Sequence, residues 1–158
     1  MILKRLFAAM LLLAAVCTNV PHAWAQGAGE NYKDLKNGIL VLVNKHRTAM
    51  GLGTLKMNDD ISTAADKHSR NMATNKIPFG HNGFDNRMAG LRSKIKGTNG
   101  WAENVAYGAA TADEAVEMWL GSPGHKKNIE GSYNLTGIGI AKGKDGQLYY
   151  TQIFVKAD

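Results

Sequence analysis

Residues 147–155 read QLYYTQIFV, and this stretch decides the fold. Side chains alternate between the two faces of a strand, so Tyr150 and Phe154 point one way while Ile153 and Val155 point the other. Both faces are therefore apolar, and both need a cover that excludes water. A strand of this kind belongs inside a layered domain rather than on a surface.

The rest of the chain supplies the cover. LTGIGIA at 135–141 predicts a second strand, joined to the first by the glycine-rich turn KGKDG. Apolar residues at helical spacing predict helices over 31–49 and 59–75, the latter with Asn58 as its cap. Residues 79–100 and the following AEN segment are interpreted as loop, apart from a short helix in FDNRMAGLRSKI. Because helical layers can cover both strand faces, we predict an α/β/α three-layer sandwich around a small, mostly antiparallel sheet.

Two capping signals mark helix starts in the second half of the chain. Thr111 and Glu114 are spaced as a capping box, in which each side chain bonds a backbone amide of the helix start. Further on, GSPGHKKNI at 121–129 offers Ser122 as a cap and Pro123 as the first helical residue. This places His125 in the first turn of a short helix, where the positive potential of the helix start favours a neutral imidazole.

The N-terminus has the pattern of a secretory signal peptide. Lys4 and Arg5 precede an apolar run from Leu6 to Val16, and Ala23-Trp24-Ala25 predicts cleavage after residue 25. Cys17 raises the alternative of a lipid anchor, although Val16 before it is a poor match. We therefore predict a single domain at 26–158, without a transmembrane segment, that is secreted or periplasmic.

The mature chain would lose the only cysteine, so no disulfide can stabilise it. Its net charge would fall from +6 to +4, because the leader carries two basic residues and no acid. The basic residues are scattered and form no stripe with interleaved aromatics, which argues against nucleic acid as a partner.

Two of the four mature histidines stand out. His46 and His68 share the apolar faces of predicted helices, so we interpret them as packed residues with local hydrogen bonds. His81 and His125 each follow a glycine, in FGHNGF and SPGHKKNI, where functional side chains are commonly presented. Between them lies Glu103, whose small and apolar neighbours imply that its carboxylate needs polar partners.

The order of these motifs resembles the CAP superfamily of cysteine-rich secretory proteins, antigen 5 and pathogenesis-related-1 proteins. The matching segments are VNKHRTAMGL, AADKHSRNMA, FGHNGF, AENVAYG, AVEMWLGSPGHKKNI, GIGIAKG and YYTQIF, and they cover essentially all of residues 31–156. Because the predicted mature chain has no cysteine, it resembles the bacterial branch of this superfamily. The resemblance implies an α/β/α sandwich with a cleft of two histidines and two acids, which in some members binds zinc or another divalent cation.

By this resemblance, the metal ligands of the family correspond to His81, Glu103 and His125. The second acid is missing, since Ser122 lies in the neighbourhood where it is expected and Glu117 falls on the side opposite Trp119. Two imidazoles and one carboxylate can bind a divalent metal with an open position for water. The same three residues could equally form a purely structural network, or a metal-free ligand or catalytic site.

Three functions remain open. A cleft that binds a metal or a small apolar ligand is the first, with Phe84, Trp101 and Ser122 as lining residues, while Tyr107 and Met72 are expected in the core. A metal-dependent hydrolase or peptidase is the second, although no nucleophile elbow or HExxH motif is present. An extracellular module that binds a protein partner is the third.

Overall fold

The computed structural model describes residues 32–158. Within them the chain forms α1 (Lys33–Ala49), β1 (Lys56–Met57), α2 (Asp59–Ala73), α3 (Phe84–Arg92), β2 (Gly100–Tyr107), α4 (Ala112–Leu120), α5 (Pro123–Ile129), β3 (Leu135–Lys142) and β4 (Leu148–Lys156). The predicted leader at 1–25 and the first residues of the predicted domain lie outside this range.

The four strands form one sheet in the order β1-β3-β4-β2. β4 is central and pairs antiparallel with β3 on one side and β2 on the other, whereas β1 runs parallel to β3. The QLYYTQIFV segment therefore lies in the middle of the sheet, as its two apolar faces require. The sheet is mostly antiparallel, as predicted.

Helices cover both faces of this sheet. Tyr150 and Phe154 pack into one core with residues of α1, α4 and α5. Ile153 and Val155 pack into a second core with residues of α2 and α3. The predicted α/β/α sandwich, with alternate residues of the last strand on opposite faces, is confirmed.

Glycines in β3 allow α2 to lie directly on the sheet. A Cβ atom added at Gly137 would come within 2.2 Å of the Ser62 amide nitrogen, and one added at Gly139 within 2.1 Å of the Ala65 carbonyl carbon. Such separations are shorter than any van der Waals contact, so only glycine fits at these two positions. The GIG motif of this strand therefore sets the height of α2 above the sheet.

The predicted caps form in part. Asn58 accepts a hydrogen bond from the Ile61 amide at 3.1 Å, as predicted. Thr111 accepts from the Glu114 amide, but the Glu114 carboxylate returns its bond to the Ala110 amide and not to that of the cap residue. Ser122 occupies the cap position of α5 by its backbone, yet its side chain makes no capping hydrogen bond.

The interpretation of the AEN segment as a loop is wrong. The segment forms the middle of β2, an edge strand in which Glu103 lies opposite Ile153 and Asn104 opposite Gln152 of β4. Two adjacent polar residues interrupt the period-2 pattern on which strand prediction depends. The pairing with β4 joins residues far apart in the sequence, so no local signal could replace the missing pattern.

Candidate functional site

The carboxylate of Glu103 is the centre of the site. Successive residues of β2 point to opposite faces of the sheet, so Glu103 faces the α2 and α3 layer while Asn104 faces α4 and α5. The Glu103 side chain is 1% exposed. Because a buried carboxylate is stable only when its oxygens accept hydrogen bonds, its partners define what the site can do.

Arg87 of α3 is the main partner of this carboxylate. Its Nη2 donates to Glu103 Oε1 at 2.6 Å and to Oε2 at 2.7 Å, while Nε donates to Oε2 at 2.9 Å. Nη1 donates to the carbonyl oxygen of Asn82 at 2.7 Å, which anchors the guanidinium from a second side. The planar guanidinium therefore engages both carboxylate oxygens at once, an arrangement that Lys could not reproduce.

Sequence reasoning missed Arg87, although a signal was present. A carboxylate among small and apolar residues needs a charged partner, and Arg87 lies in the same short segment as His81. What the sequence could not show is that α3 packs against α2 and brings this side chain to β2.

His81 is the second partner of Glu103. Its Nδ1 lies 2.9 Å from Oε1, and its side chain is 52% exposed. A carboxylate can only accept, so Nδ1 donates this hydrogen bond, and Nε2 makes no hydrogen bond among the described residues. Gly80 and Gly83 flank the loop with φ angles of 140° and 74°, in the region that favours glycine. The glycines thus turn the chain so that His81 is presented at the mouth of the site.

His68 supports the site from within. It is fully buried on α2, and its Nε2 donates to the Gly80 carbonyl oxygen at 2.8 Å while lying 3.8 Å from Glu103 Oε1. Burial lowers the pKa of His68, which favours the neutral imidazole. Its predicted role as a packed histidine with a local hydrogen bond is confirmed, and that bond holds the loop that carries His81.

His125 lies in the first turn of α5, as predicted. Its backbone carbonyl accepts from Asn104 Nδ2 at 3.0 Å, which fixes the start of the helix against β2. Burial, and then the charge of His81, lower the pKa of His125, so the predicted preference for a neutral imidazole agrees in direction. The ring makes no hydrogen bond with Glu103 or His81 among the described residues.

A cavity of about 300 Å³ opens beside His81 and Glu103 and is lined further by Phe84, Trp101, Ala102 and Asn128. Phe84 and Trp101, predicted to contact a ligand, are half-buried in its wall. The Arg92 guanidinium lies over the Trp101 ring at 4.4 Å from its centroid, a cation–π contact that holds the indole in place. Ser122 and His125 do not line this cavity.

Met72 and Tyr107 were both predicted to lie in the core, and only one of them does. Met72 is 1% exposed and lies in the core, as predicted. Tyr107 was also expected in the core, but it is 51% exposed. It is the last residue of β2, where the sheet edge leaves the helical layer, so its ring is not covered.

A larger groove of about 500 Å³ lies between α2 and α3. Its wall includes Ala64, Ile77 and Leu91 and also His68 and Arg87. Arg87 lines this groove. Its guanidinium also binds Glu103, which lines the smaller cavity. The two cavities meet at the ion pair.

The residues as placed do not fit the metal that the resemblance implied. Among residues 32–158, no group of three or more His, Cys, Asp or Glu side chains is arranged to hold a metal ion. Arg87 donates hydrogen bonds to both oxygens of Glu103. Glu117 does not replace the missing second acid, because it is exposed on α4. At about 4 Å and an effective dielectric constant of about 20, a guanidinium repels a divalent cation by about 8 kcal/mol. The metal set of His81, Glu103 and His125 stays a prediction.

The fold and the motif order now permit a comparison with known proteins. Residues 40–154 match the cysteine-rich secretory protein family, CAP. The chain belongs to this family, as predicted. Within residues 32–158, no helix has the length and apolar character needed to cross a membrane.

Two curated relatives come from Bacillus subtilis (strain 168). The uncharacterized protein YkwD is 31% identical over 123 residues, which cover 74% of this chain and 45% of that protein. The uncharacterized membrane protein YlbC is 32% identical over 123 residues, which cover 75% of this chain and 33% of that protein. The chain therefore spans less than half the length of these relatives.

Solved structures share the fold. An outer surface protein from Borrelia burgdorferi has a TM-score of 0.69 at 19% identity, with 84% of this chain and 99% of that chain covered. An extracellular protein containing an SCP domain, from Bacillus anthracis str. Ames, has a TM-score of 0.63 at 26% identity, with 78% and 40% covered.

Proposed function

We propose that this chain is an exported CAP-domain protein that binds a small molecule in the cavity beside His81. The ligand has an apolar body and one hydrogen-bond donor. The observation that supports this proposal most directly is that half-buried aromatic rings and an imidazole without a hydrogen bond at Nε2 line one cavity. The predicted leader at 1–25 supports export.

The apolar half of the proposed site is formed by Phe84 and Trp101. Both side chains are half-buried, so a ligand would remove their remaining surface from water. Because Arg92 holds the Trp101 ring, little conformational freedom is lost when a ligand packs against it. A volume of about 300 Å³ lies at the small end of the usual range of ligand pockets, about 300–1,000 Å³.

The polar half is formed by His81. Its Nδ1 is committed to Glu103, and its Nε2 has no hydrogen-bond partner among the described residues. In the neutral imidazole this Nε2 is an acceptor, and the ring is oriented by the Glu103 carboxylate, which Arg87 holds. A hydroxyl or N–H group on the ligand would satisfy it.

The site gives less support to the predicted hydrolase. Hydrolysis would need a general base near His81, and the carboxylate there, Glu103, has both oxygens occupied by donors of Arg87 and His81. A carboxylate in that state has no free lone pair directed at a substrate.

An exposed aromatic patch favours the third function, binding of an extracellular protein partner. Phe79, Tyr107 and Tyr149 form this patch, with ring centroids 4.9 to 6.5 Å apart. Phe79 and Tyr107 are about half exposed. Tyrosine and phenylalanine are enriched at protein interfaces, so this patch is the second candidate.

Titration of the full chain with N-phenyl-1-naphthylamine tests the first candidate, because this neutral probe joins an apolar aromatic body to a single N–H donor. We expect saturable binding that Trp101→Leu weakens about tenfold, since losing an aromatic contact costs about 1.5 kcal/mol or more. Phe79→Ala is the matched control in the patch and should leave the affinity within about twofold. Gly90→Leu fills the α2–α3 groove, where an added Cβ meets nothing within 4 Å, and should also leave the affinity unchanged.

Three results would contradict the cavity proposal: binding that is insensitive to Trp101→Leu, binding that is lost on Phe79→Ala, and binding that is lost on Gly90→Leu. The second of these places the probe on the aromatic patch, and the third places it in the groove. Thermal unfolding of each variant shows whether a lost signal reflects a lost fold.

A further inference from the structure

We infer that Arg87 is the resident cation of this site, so that the site excludes divalent metals. The inference concerns the charge of the site and does not depend on the ligand proposed above. It follows from the disagreement between the metal set that the resemblance implied and the donors that the structure places around Glu103.

The first argument is geometric. A carboxylate that ligates a metal directs at least one oxygen at the ion, but two nitrogens of Arg87, Nε and Nη2, make three hydrogen bonds to the two oxygens of Glu103 at 2.6 to 2.9 Å. His81 supplies a further donor to Oε1 at 2.9 Å. A metal could bind Glu103 only after these bonds had broken, because every short contact of its oxygens is with a donor.

The second argument is that Arg87 is fixed independently of Glu103. Its Nη1 donates to the Asn82 carbonyl oxygen, and its side chain is only 14% exposed. The guanidinium would therefore lose a backbone hydrogen bond as well as its ion pair on leaving. A flexible surface arginine could swing into solvent, whereas this one is held on α3 against the groove wall.

The third argument is the charge balance. Glu103 and Arg87 form a close ion pair, with side chains 1% and 14% exposed, so their opposite charges cancel within the site. Ser122 carries no charge where a second acid was expected. With no spare carboxylate among these residues, a divalent ion would leave a partly buried site with a net positive charge, which is unfavourable in a region of low dielectric constant.

Zinc titration by calorimetry on the full chain tests the inference. We expect that Glu103 contributes nothing to zinc binding by the wild type. The wild type and Glu103→Gln should therefore give the same isotherm. Arg87→Met removes the guanidinium at similar size and frees both carboxylate oxygens. It should gain at least about tenfold in zinc affinity, and the double variant Arg87→Met with Glu103→Gln should lose that gain. Background sites elsewhere in the chain are the same in all four proteins.

One zinc per chain in the wild type, lost on Glu103→Gln, would overturn the inference. So would a folded Arg87→Met variant that binds zinc no better than the wild type, because Arg87 would then not be what excludes the metal. If Arg87→Met does not fold, the comparison of wild type with Glu103→Gln, which keeps the size of the side chain, still decides whether wild-type zinc binding depends on this carboxylate. If only the binding of N-phenyl-1-naphthylamine failed, the ligand proposal would be wrong, and the inference that Arg87 excludes metals would be unaffected.

Discussion

Arg47 offers the sharpest test of how the fold supports the site. This arginine of α1 is 2% exposed, and its donors all go to backbone carbonyl oxygens. It bonds Gly53 at 2.8 Å, Ile129 at 2.6 Å, Gly131 at 2.8 Å and Tyr133 at 3.1 Å. Three of these acceptors lie at the end of α5 or just after it, so Arg47 fixes the helix that carries His125 in its first turn.

The cost of removing this side chain can be worked out bond by bond. In Arg47→Met the buried Ile129 carbonyl loses a charged donor, which costs about 2 kcal/mol. The other three bonds are only partly buried, so water can replace them in part, and each costs about 0.7 kcal/mol. Burial lowers the pKa of Arg47, and the variant regains some of that desolvation cost. We expect a net loss of about 3 to 4 kcal/mol in the free energy of unfolding.

Urea denaturation, followed by tryptophan fluorescence to which the fully buried Trp119 contributes, measures this loss. Arg47→Lys keeps the charge but not the planar set of donors, and should lie between the wild type and Arg47→Met. Arg70→Met, at an exposed position of α2, is the matched control and should change stability by less than about 0.5 kcal/mol. A loss below about 1 kcal/mol for Arg47→Met, with an unchanged urea dependence, would refute the reasoning.

Two further predictions concern glycine and pH. Gly90→Ala should stabilise the protein by about 0.5 to 1 kcal/mol in urea denaturation, because its Cβ meets no atom within 4 Å and alanine favours the helix. Gly38→Ala should gain less or lose stability, since its Cβ would lie 3.0 Å from that of Ala112; equal gains would contradict this. His68 and His125 have pKa values lowered by burial, so the unfolded chain binds protons more readily and stability should fall as the pH drops below the usual histidine range. Thermal unfolding between about pH 7.5 and 5 checks this, and a flat profile would contradict it.

The sequence predicted the elements whose signals are local. Asn58 and Thr111 cap helices where the motifs placed them, and Pro123 begins α5. The pattern in 147–155 predicted a covered central strand, because alternation on a strand depends only on neighbouring residues. His81 and Glu103, singled out from a glycine-framed loop and a carboxylate among apolar residues, lie 2.9 Å apart, while their role as metal ligands with His125 stays a prediction.

The sequence could not predict which side chains meet when the elements pack. β2 was missed because its polar pair hides the strand pattern, and its partner β4 lies about fifty residues away in the chain. Arg87 was missed because its contact with Glu103 requires α3 to dock on α2. Tyr107 was placed in the core because hydropathy does not show where a sheet edge ends.

By itself, then, the sequence determined the helices, the covered strand and the family, and it singled out His81 and Glu103. Only the tertiary structure decided that an arginine, and not a second acid, stands beside Glu103. The physical reason is that local sequence patterns reflect backbone preference and hydrophobicity, which depend only on a residue and its neighbours in the chain. The charge state of a buried cluster depends instead on which distant side chains the packed layers bring within hydrogen-bond reach.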